Sequence, residues 1–210
     1  MDTIPADARL IVFVKAPRPG FVKTRLATTV GPETAAEAYT ALVETLIARL
    51  DGLSAIELKF SPLGAEAEIE PWLRPQWTAS PQAEGDLAER LIGAFKDAFD
   101  AGHRRVVIIG SDCPYITPDD LRDAFQQLTN HDVVLGPASD GGYWLIGLRQ
   151  PQPTLFKDIA WSTATVFQET LAAAAAADLR VTRLRELSDV DTLADLLHFN
   201  TWQVEHPTRL

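Results

Sequence analysis

Residues 106–114 read VVIIGSDCP, and this run limits the folds open to the chain more than any other. Val106, Val107, Ile108 and Ile109 leave no polar face, so as a strand they are buried on both sides. Such a strand belongs in a mostly parallel sheet covered by helices on both faces. Gly110, Ser111, Asp112, Cys113 and Pro114 follow at once and end it. Ligands of open α/β sheets gather beyond the carboxyl ends of the strands, which is where Asp112 falls. A carboxylate held there between a glycine and a proline suits a divalent cation, and through it a phosphate.

Residues 10–14 (LIVFV) repeat the buried pattern and predict the first strand. It runs into a loop carrying Lys15, Arg18, Gly20, Lys23 and Arg25, stiffened by two prolines. The G-x-x-x-x-G-K spacing of a Walker A loop is absent. Four cations at a strand end, in a chain of formal net charge -10, suit a diphosphate or triphosphate. The plainer reading is a solvated basic loop. Residues 32–50 predict a helix whose stripe of Tyr39, Leu42, Val43, Leu46, Ile47 and Leu50 is core and nothing more. A strand at 56–60 and a short helix at 65–73 follow.

A turn at 81–87 leads into a helix over 87–101, with Gln82, Asp86 and Arg90 around its entrance. Gln82 and Arg90 there read a base or ribose edge, or Asp86 simply caps the helix. Thr117 is expected to cap the next helix, with Pro118 at its first position and Asp120 completing a capping box. After a strand at 133–135, residues 136–147 read as a strand end, a glycine turn and a return strand. Asp140 is either a hairpin-turn residue or, with the Gly141 and Gly142 backbone, the floor of an acceptor pocket. Trp161, Ser162 and Thr163 open a helix to about 177, with Ser162 as its cap. A strand at 181–184 precedes Asp189 and Asp191, and a last helix is expected at 193–199. Asp191 or Thr192 caps that helix, or Asp189 and Asp191 offer a carboxylate to the metal of Asp112.

Alternating strands and helices predict a single α/β domain over residues 1–210, an α/β/α sandwich. A net charge of -10 excludes nucleic-acid binding through bulk electrostatics. One cysteine, Cys113, permits no intrachain disulfide. No apolar run reaches the roughly 18 residues a membrane span needs. The N-terminus lacks a signal-peptide pattern, so a cytoplasmic location is expected.

In order along the chain, KAPRPGFVKTRL (15–26), QAEGDLAERL (82–91), IGSDCP (109–114), GPASDGGYWLIGL (136–148), WST (161–163) and DVDT (189–192) resemble the DUF2064 group of nucleotide-diphospho-sugar transferases. Its members are often labelled glycosyltransferases and have a GT-A type fold. More distantly, Lys23-Thr24-Arg25-Leu26 is similar to the Lys-Ser-Arg-Leu of the 2-phospholactate and phosphoenolpyruvate guanylyltransferases of deazaflavin cofactor synthesis. The resemblance implies Mg²⁺ or Mn²⁺ held by Asp112 and Asp191, with Asp189 beside them. It implies phosphates on Lys15, Arg18, Gly20, Lys23, Thr24 and Arg25, and a base or ribose at Gln82, Gly85, Asp86 and Arg90. Asp140, Gly141, Gly142, Trp161, Ser162 and Thr163 would face the sugar or acceptor, and Asp112, Lys23 and Asp140 are the candidate catalytic residues. Ala88 and Trp144 depart from the Gly and Tyr common in the family. The implied function is metal-dependent transfer from a nucleotide-activated donor to a small-molecule acceptor. The alternatives are a nucleotidyltransferase releasing pyrophosphate and a nucleotide sensor without turnover.

Overall fold

The computed structural model describes residues 4–206. Its strands are β1 (Ala8–Lys15), β2 (Ile56–Ser61), β3 (Thr78–Pro81), β4 (Arg105–Gly110), β5 (Val133–Pro137), β6 (Tyr143–Leu148) and β7 (Val181–Arg183). Its helices are α1 (Thr24–Val30), α2 (Pro32–Leu50), α3 (Glu66–Ile69), α4 (Leu87–Asp100), α5 (Pro118–Gln127), α6 (Val166–Ala176) and α7 (Leu193–Glu205).

The apolar runs produce the layering. Side chains alternate across a strand, so Leu10, Val12, Val14, Val107 and Ile109 fill one face of the sheet. There they meet the stripes of α2 and α5, among them Val43, Leu46, Leu121 and Phe125. Ile11, Val106 and Ile108 fill the other face, against Leu91, Phe95 and Ala98 of α4 and Phe167 and Ala174 of α6. A third cluster, Leu42, Val190 and Phe199, docks α7 on α2. Each fully buried aliphatic side chain contributes about 1.5–3 kcal/mol. The two central strands therefore anchor both layers. Trp72 and Trp77 are buried packing residues.

The sheet order is β3-β2-β1-β4-β6-β5-β7. Every pairing is parallel except those of β6, which runs antiparallel between β4 and β5. This insertion has a functional consequence. Ile109 pairs with Leu145, so β6 begins where β4 ends, and the turn before it lies at the sheet's carboxyl edge. The segment after β7 reaches the same edge: Ala138 bridges Leu187, and Val190 N donates to Asp112 O at 3.1 Å.

Several local expectations change. The helix expected to open at Trp161 begins at Val166, and Ser162 caps nothing. Ser162 adopts a left-handed backbone, φ 64. Around it, Thr163 Oγ1 donates to Ala160 O and Thr165 Oγ1 donates to Glu169 Oε1, both at 2.7 Å. These local hydroxyl bonds hold the backbone in turns ahead of the helix. The last helix continues past Phe199 to Glu205 and is capped by Thr192, whose Oγ1 accepts from Asp195 N at 3.3 Å. Helix α1 and strand β3 were not expected. The first is seven residues anchored by Leu26. The second is a short edge strand ending in Pro81, a position where a missing N–H is tolerated.

Candidate active site

Three chain segments meet beyond the carboxyl ends of β1 and β4, around a cleft of about 900 Å³. Lys23 ends the first loop in the left-handed region, φ 45 and ψ 46, immediately before α1. A non-glycine residue there carries a cost of roughly 1–2 kcal/mol. Its side chain is turned inward, 3% exposed, with Nζ 2.5 Å from Asp112 Oδ1 and 3.0 Å from Asp191 Oδ1. Arg25 Nη2 stands 3.4 Å from Asp191 Oδ2.

Burial pulls the Lys23 pKa down, but Asp112 and Asp191 outweigh it and hold the ammonium above its ordinary value. Asp189 also lines the cleft. Burial, and next the Asp112 charge, push its carboxyl up to about 7 against the opposing pull of Lys23. Burial likewise pushes the Cys113 thiol up to about 12, so Cys113 is an inert core residue at neutral pH.

The scaffold beneath this cluster is hydrogen-bonded. Tyr39 of α2 accepts from Lys15 N at 2.8 Å and pairs with Ser111 Oγ at 2.8 Å. One buried phenol thus joins the start of the cationic loop to the residue before Asp112. Read from sequence, Tyr39 was core and nothing more. Its ring does belong to the core, but its hydroxyl bridges two loops and it lines the cleft. The Val190–Asp112 backbone bond holds the third segment in place, and Asp195 fixes the Asp191 amide at 3.2 Å.

Of the residues singled out by sequence, Lys15, Lys23, Thr24, Arg25, Gln82, Arg90, Asp112, Asp140, Gly142, Trp161, Ser162, Thr163, Asp189 and Asp191 line this cleft. Arg18 does not. Its guanidinium pairs with Glu68 of α3 at 3.0 Å, on the outer rim. Gly20, Gly85, Asp86 and Gly141 also lie outside the lining. Gly85 O accepts from Arg90 Nε at 2.9 Å. Asp86 is the N-cap of α4, in a reciprocal capping box with Glu89. The capping alternative therefore describes Asp86.

Gln82 Nε2 donates to Lys59 O at 2.9 Å and Val14 O at 3.3 Å, so its amide ties β1 to β2. Asp140 Oδ1 accepts from Gly142 N at 2.9 Å, the turn role allowed for it, while it also faces the cleft. Gly141 has φ 91, and its backbone O accepts from Phe167 N at 2.9 Å. Tyr143 and Trp161 meet edge to face at 6.4 Å and wall the far half of the cleft with Leu87, Leu91 and Ile146. Trp161 is marked by the WST motif, whereas Tyr143, Leu87, Leu91 and Ile146 carry no sequence mark that separates them from the core.

No group of three or more His, Cys, Asp or Glu side chains converges on a metal position among the described residues. Asp112 and Asp191 nevertheless both reach one cation, Lys23 Nζ. A pair of carboxylates suits Mg²⁺ or Mn²⁺ when phosphates and water supply the remaining ligands. The donor set therefore fits a nucleotide-bound divalent cation, with Asp189 alongside.

The family described as uncharacterized proteins conserved in bacteria, DUF2064, matches residues 45–163. No protein of curated function matches by sequence. Among solved structures, a provisionally assigned nucleotide-diphospho-sugar transferase from Desulfovibrio desulfuricans is 36% identical, with a TM-score of 0.88 over 96% of this chain and 89% of that one. The inositol-1-phosphate CTP transferase of T. maritima superposes with a TM-score of 0.61 at 13% identity, over 99% of this chain and 100% of that one. A manganese complex of a Mycobacterium tuberculosis protein gives 0.51 at 18% identity, over 91% and 96%. The last two likenesses are likenesses of fold. The family match and the 36% identity over nearly the whole chain lead to one conclusion: the chain belongs to the DUF2064 family and has the α/β fold of nucleotide-diphospho-sugar transferases.

Proposed function

We propose that the chain is a metal-dependent transferase that uses a nucleotide-activated donor, with transfer of a glycosyl group from a nucleotide diphosphate as the leading reaction. That it is a transferase is supported by its kinship with the Desulfovibrio protein. The observation that carries the finer reading is the meeting of Lys23, Asp112 and Asp191, from three separate segments, at one strand edge.

Asp112 and Asp191 would hold Mg²⁺ or Mn²⁺. When bound, that cation neutralises phosphate charge and stabilises a leaving diphosphate. Lys15, Lys23 and Arg25 supply fixed positive charge at the same edge, where it is worth most against developing negative charge. Gln82, just after β3, and Arg90, in the first turn of α4, border the side of the cleft expected to take the base. The Tyr143–Trp161 wall, with Asp140 and Gly142, borders the side expected to take the sugar and acceptor. Apolar ring faces there exclude water from a reacting centre.

Nucleotidyl transfer to a phosphorylated or hydroxylated acceptor is the second reading. A triphosphate calls on more cations than a diphosphate. With Arg18 engaged by Glu68, three of the four loop cations line the cleft, a set that suits a diphosphate. The test is a turnover screen of NDP-sugars and NTPs with Mg²⁺ or Mn²⁺ over a panel of hydroxylated and phosphorylated acceptors. Release of nucleoside diphosphate supports glycosyl transfer. Release of pyrophosphate supports the second reading, and ligand binding without release of either would leave a sensor.

A further inference from the structure

We propose that Lys23 is the resident counter-ion of the Asp112–Asp191 pair and that a divalent cation must displace it, so the cleft takes metal together with a phosphate ligand rather than metal alone. This rests on the reading of the cleft as a metal–nucleotide site.

Position is the first ground. Nζ touches one oxygen of each carboxylate at 2.5 and 3.0 Å, which puts a cation between the two groups a metal would need. The second is charge. Asp112 and Asp191 carry two negative charges, and Lys23 and Arg25, which contact them, carry two positive ones. These four contacting groups sum to zero before any ligand arrives. Metal alone adds two positive charges, offset only by the other acids of the cleft lining, Asp189 and Asp140, whereas metal with a diphosphate brings its own anion. The third is mechanical. Lys23 O accepts from Ala27 N at 2.8 Å, which pins its backbone at the start of α1. Its ammonium sits on a flexible four-carbon stem with three donors, so the head can change partners while the backbone stays. A phosphate at the cleft edge offers it acceptors in exchange for the carboxylates it gives up.

A site that is competent only part of the time shows an affinity lowered by that fraction. Removing the competitor restores it. Mn²⁺ binding to the full-length protein, without nucleotide, is read by electron paramagnetic resonance for wild type, K23M and the K23M/D112N double variant. K23M is expected to bind Mn²⁺ roughly tenfold tighter than wild type, the change for a site open about a tenth of the time. The double variant is expected to lose that gain. Equal or weaker binding by K23M overturns displacement while leaving the metal site standing. Absence of Mn²⁺ binding in every protein removes the metal site and displacement together.

A second readout needs no variant and does not depend on K23M folding. The Lys23 ammonium resonance of ¹⁵N-labelled wild type should move with Mg²⁺ plus inorganic pyrophosphate and stay in place with Mg²⁺ alone. A resonance unmoved by both, or moved equally by Mg²⁺ alone, contradicts the proposal.

Discussion

Lys23 Nζ lies 2.5 Å from Asp112 Oδ1, and this contact joins the loop after the first strand to the end of the central one. Both backbones are held independently, Lys23 by the start of α1 and Asp112 by its bond to Val190 N. The pair is thus a product of the fold. The side chains themselves differ, since Lys23 is almost wholly enclosed while Asp112 is 49% exposed to the cleft. One anchors and the other presents.

The two loops should loosen together when Tyr39 loses its hydroxyl. Y39F strands the buried Ser111 hydroxyl and the part-buried Lys15 N–H. An unsatisfied buried group costs about 1–3 kcal/mol. Urea unfolding of Y39F should show a loss of that size together with a raised KM for the donor. Stability and KM both equal to wild type would refute the bridge.

The cations of the first loop should separate by role. R18A removes only a solvent-exposed pair with Glu68, a type of contact worth about 0–1 kcal/mol, and should leave KM for the donor unchanged. K15A and R25A each remove a cation from the cleft lining. Each should raise KM about tenfold or more, as expected for a lost charged hydrogen bond of about 1.5–3 kcal/mol. An R18A defect as large as that of R25A would return Arg18 to the phosphate site.

Much of this was legible locally. Strands β1 and β4 announced themselves as unbroken apolar runs, and the capping box at Thr117 and Asp120 formed as the residues suggested. Such signals lie within a few residues of chain. What was hidden depended on distant partners. Nothing near Lys23 says that its ammonium turns inward to carboxylates from two other segments, so the sequence marks it as a phosphate cation and catalytic candidate but not as their partner. Tyr39 shows only its place on an apolar stripe, because its hydroxyl partners belong to other elements. The antiparallel insertion of β6 was hidden too: strand runs do not state their neighbours, although that insertion is what brings Asp140 to the site.

Two glycines with the same backbone sign should respond differently to alanine. Gly141 has φ 91, and a Cβ there would meet the backbone of Ala164. G141A should cost roughly 2–4 kcal/mol, from left-handed strain plus displacement of the Ser162 loop. Gly20 has φ 83 and open space around it, so G20A should cost about 1–2 kcal/mol, the backbone strain alone. Thermal unfolding of both variants checks the order, and the reverse order would contradict this packing of Gly141 on Ala164.

The acid limb of stability should involve Asp120. Arg185 donates to both its oxygens, at 2.6 and 2.7 Å, tying α5 to the segment before Leu187. Burial works to raise the Asp120 pKa, but Arg185 and Thr117 outweigh it and hold the carboxyl below its ordinary 3.8. A depressed carboxyl contributes stability that is present above 3.8 and lost as pH falls through the lower folded value. D120N should therefore cost about 1–2 kcal/mol near pH 7, an amount discounted for the half-exposed Arg185. The gap between D120N and wild type should close as pH drops below 4. Melting curves across that range test it, and a gap that widens toward acid would reverse the sign.

On the proposed reading, Asp112 makes nucleotide binding metal-dependent at the edge of β4. Calorimetric titration of UDP, GDP and CDP into wild type and D112N, with and without Mn²⁺, measures it directly. At least one nucleotide should bind wild type only with Mn²⁺, and D112N should lose at least tenfold of that affinity, the equivalent of about 1.4 kcal/mol. Binding that is the same without metal, or intact in D112N, would contradict it.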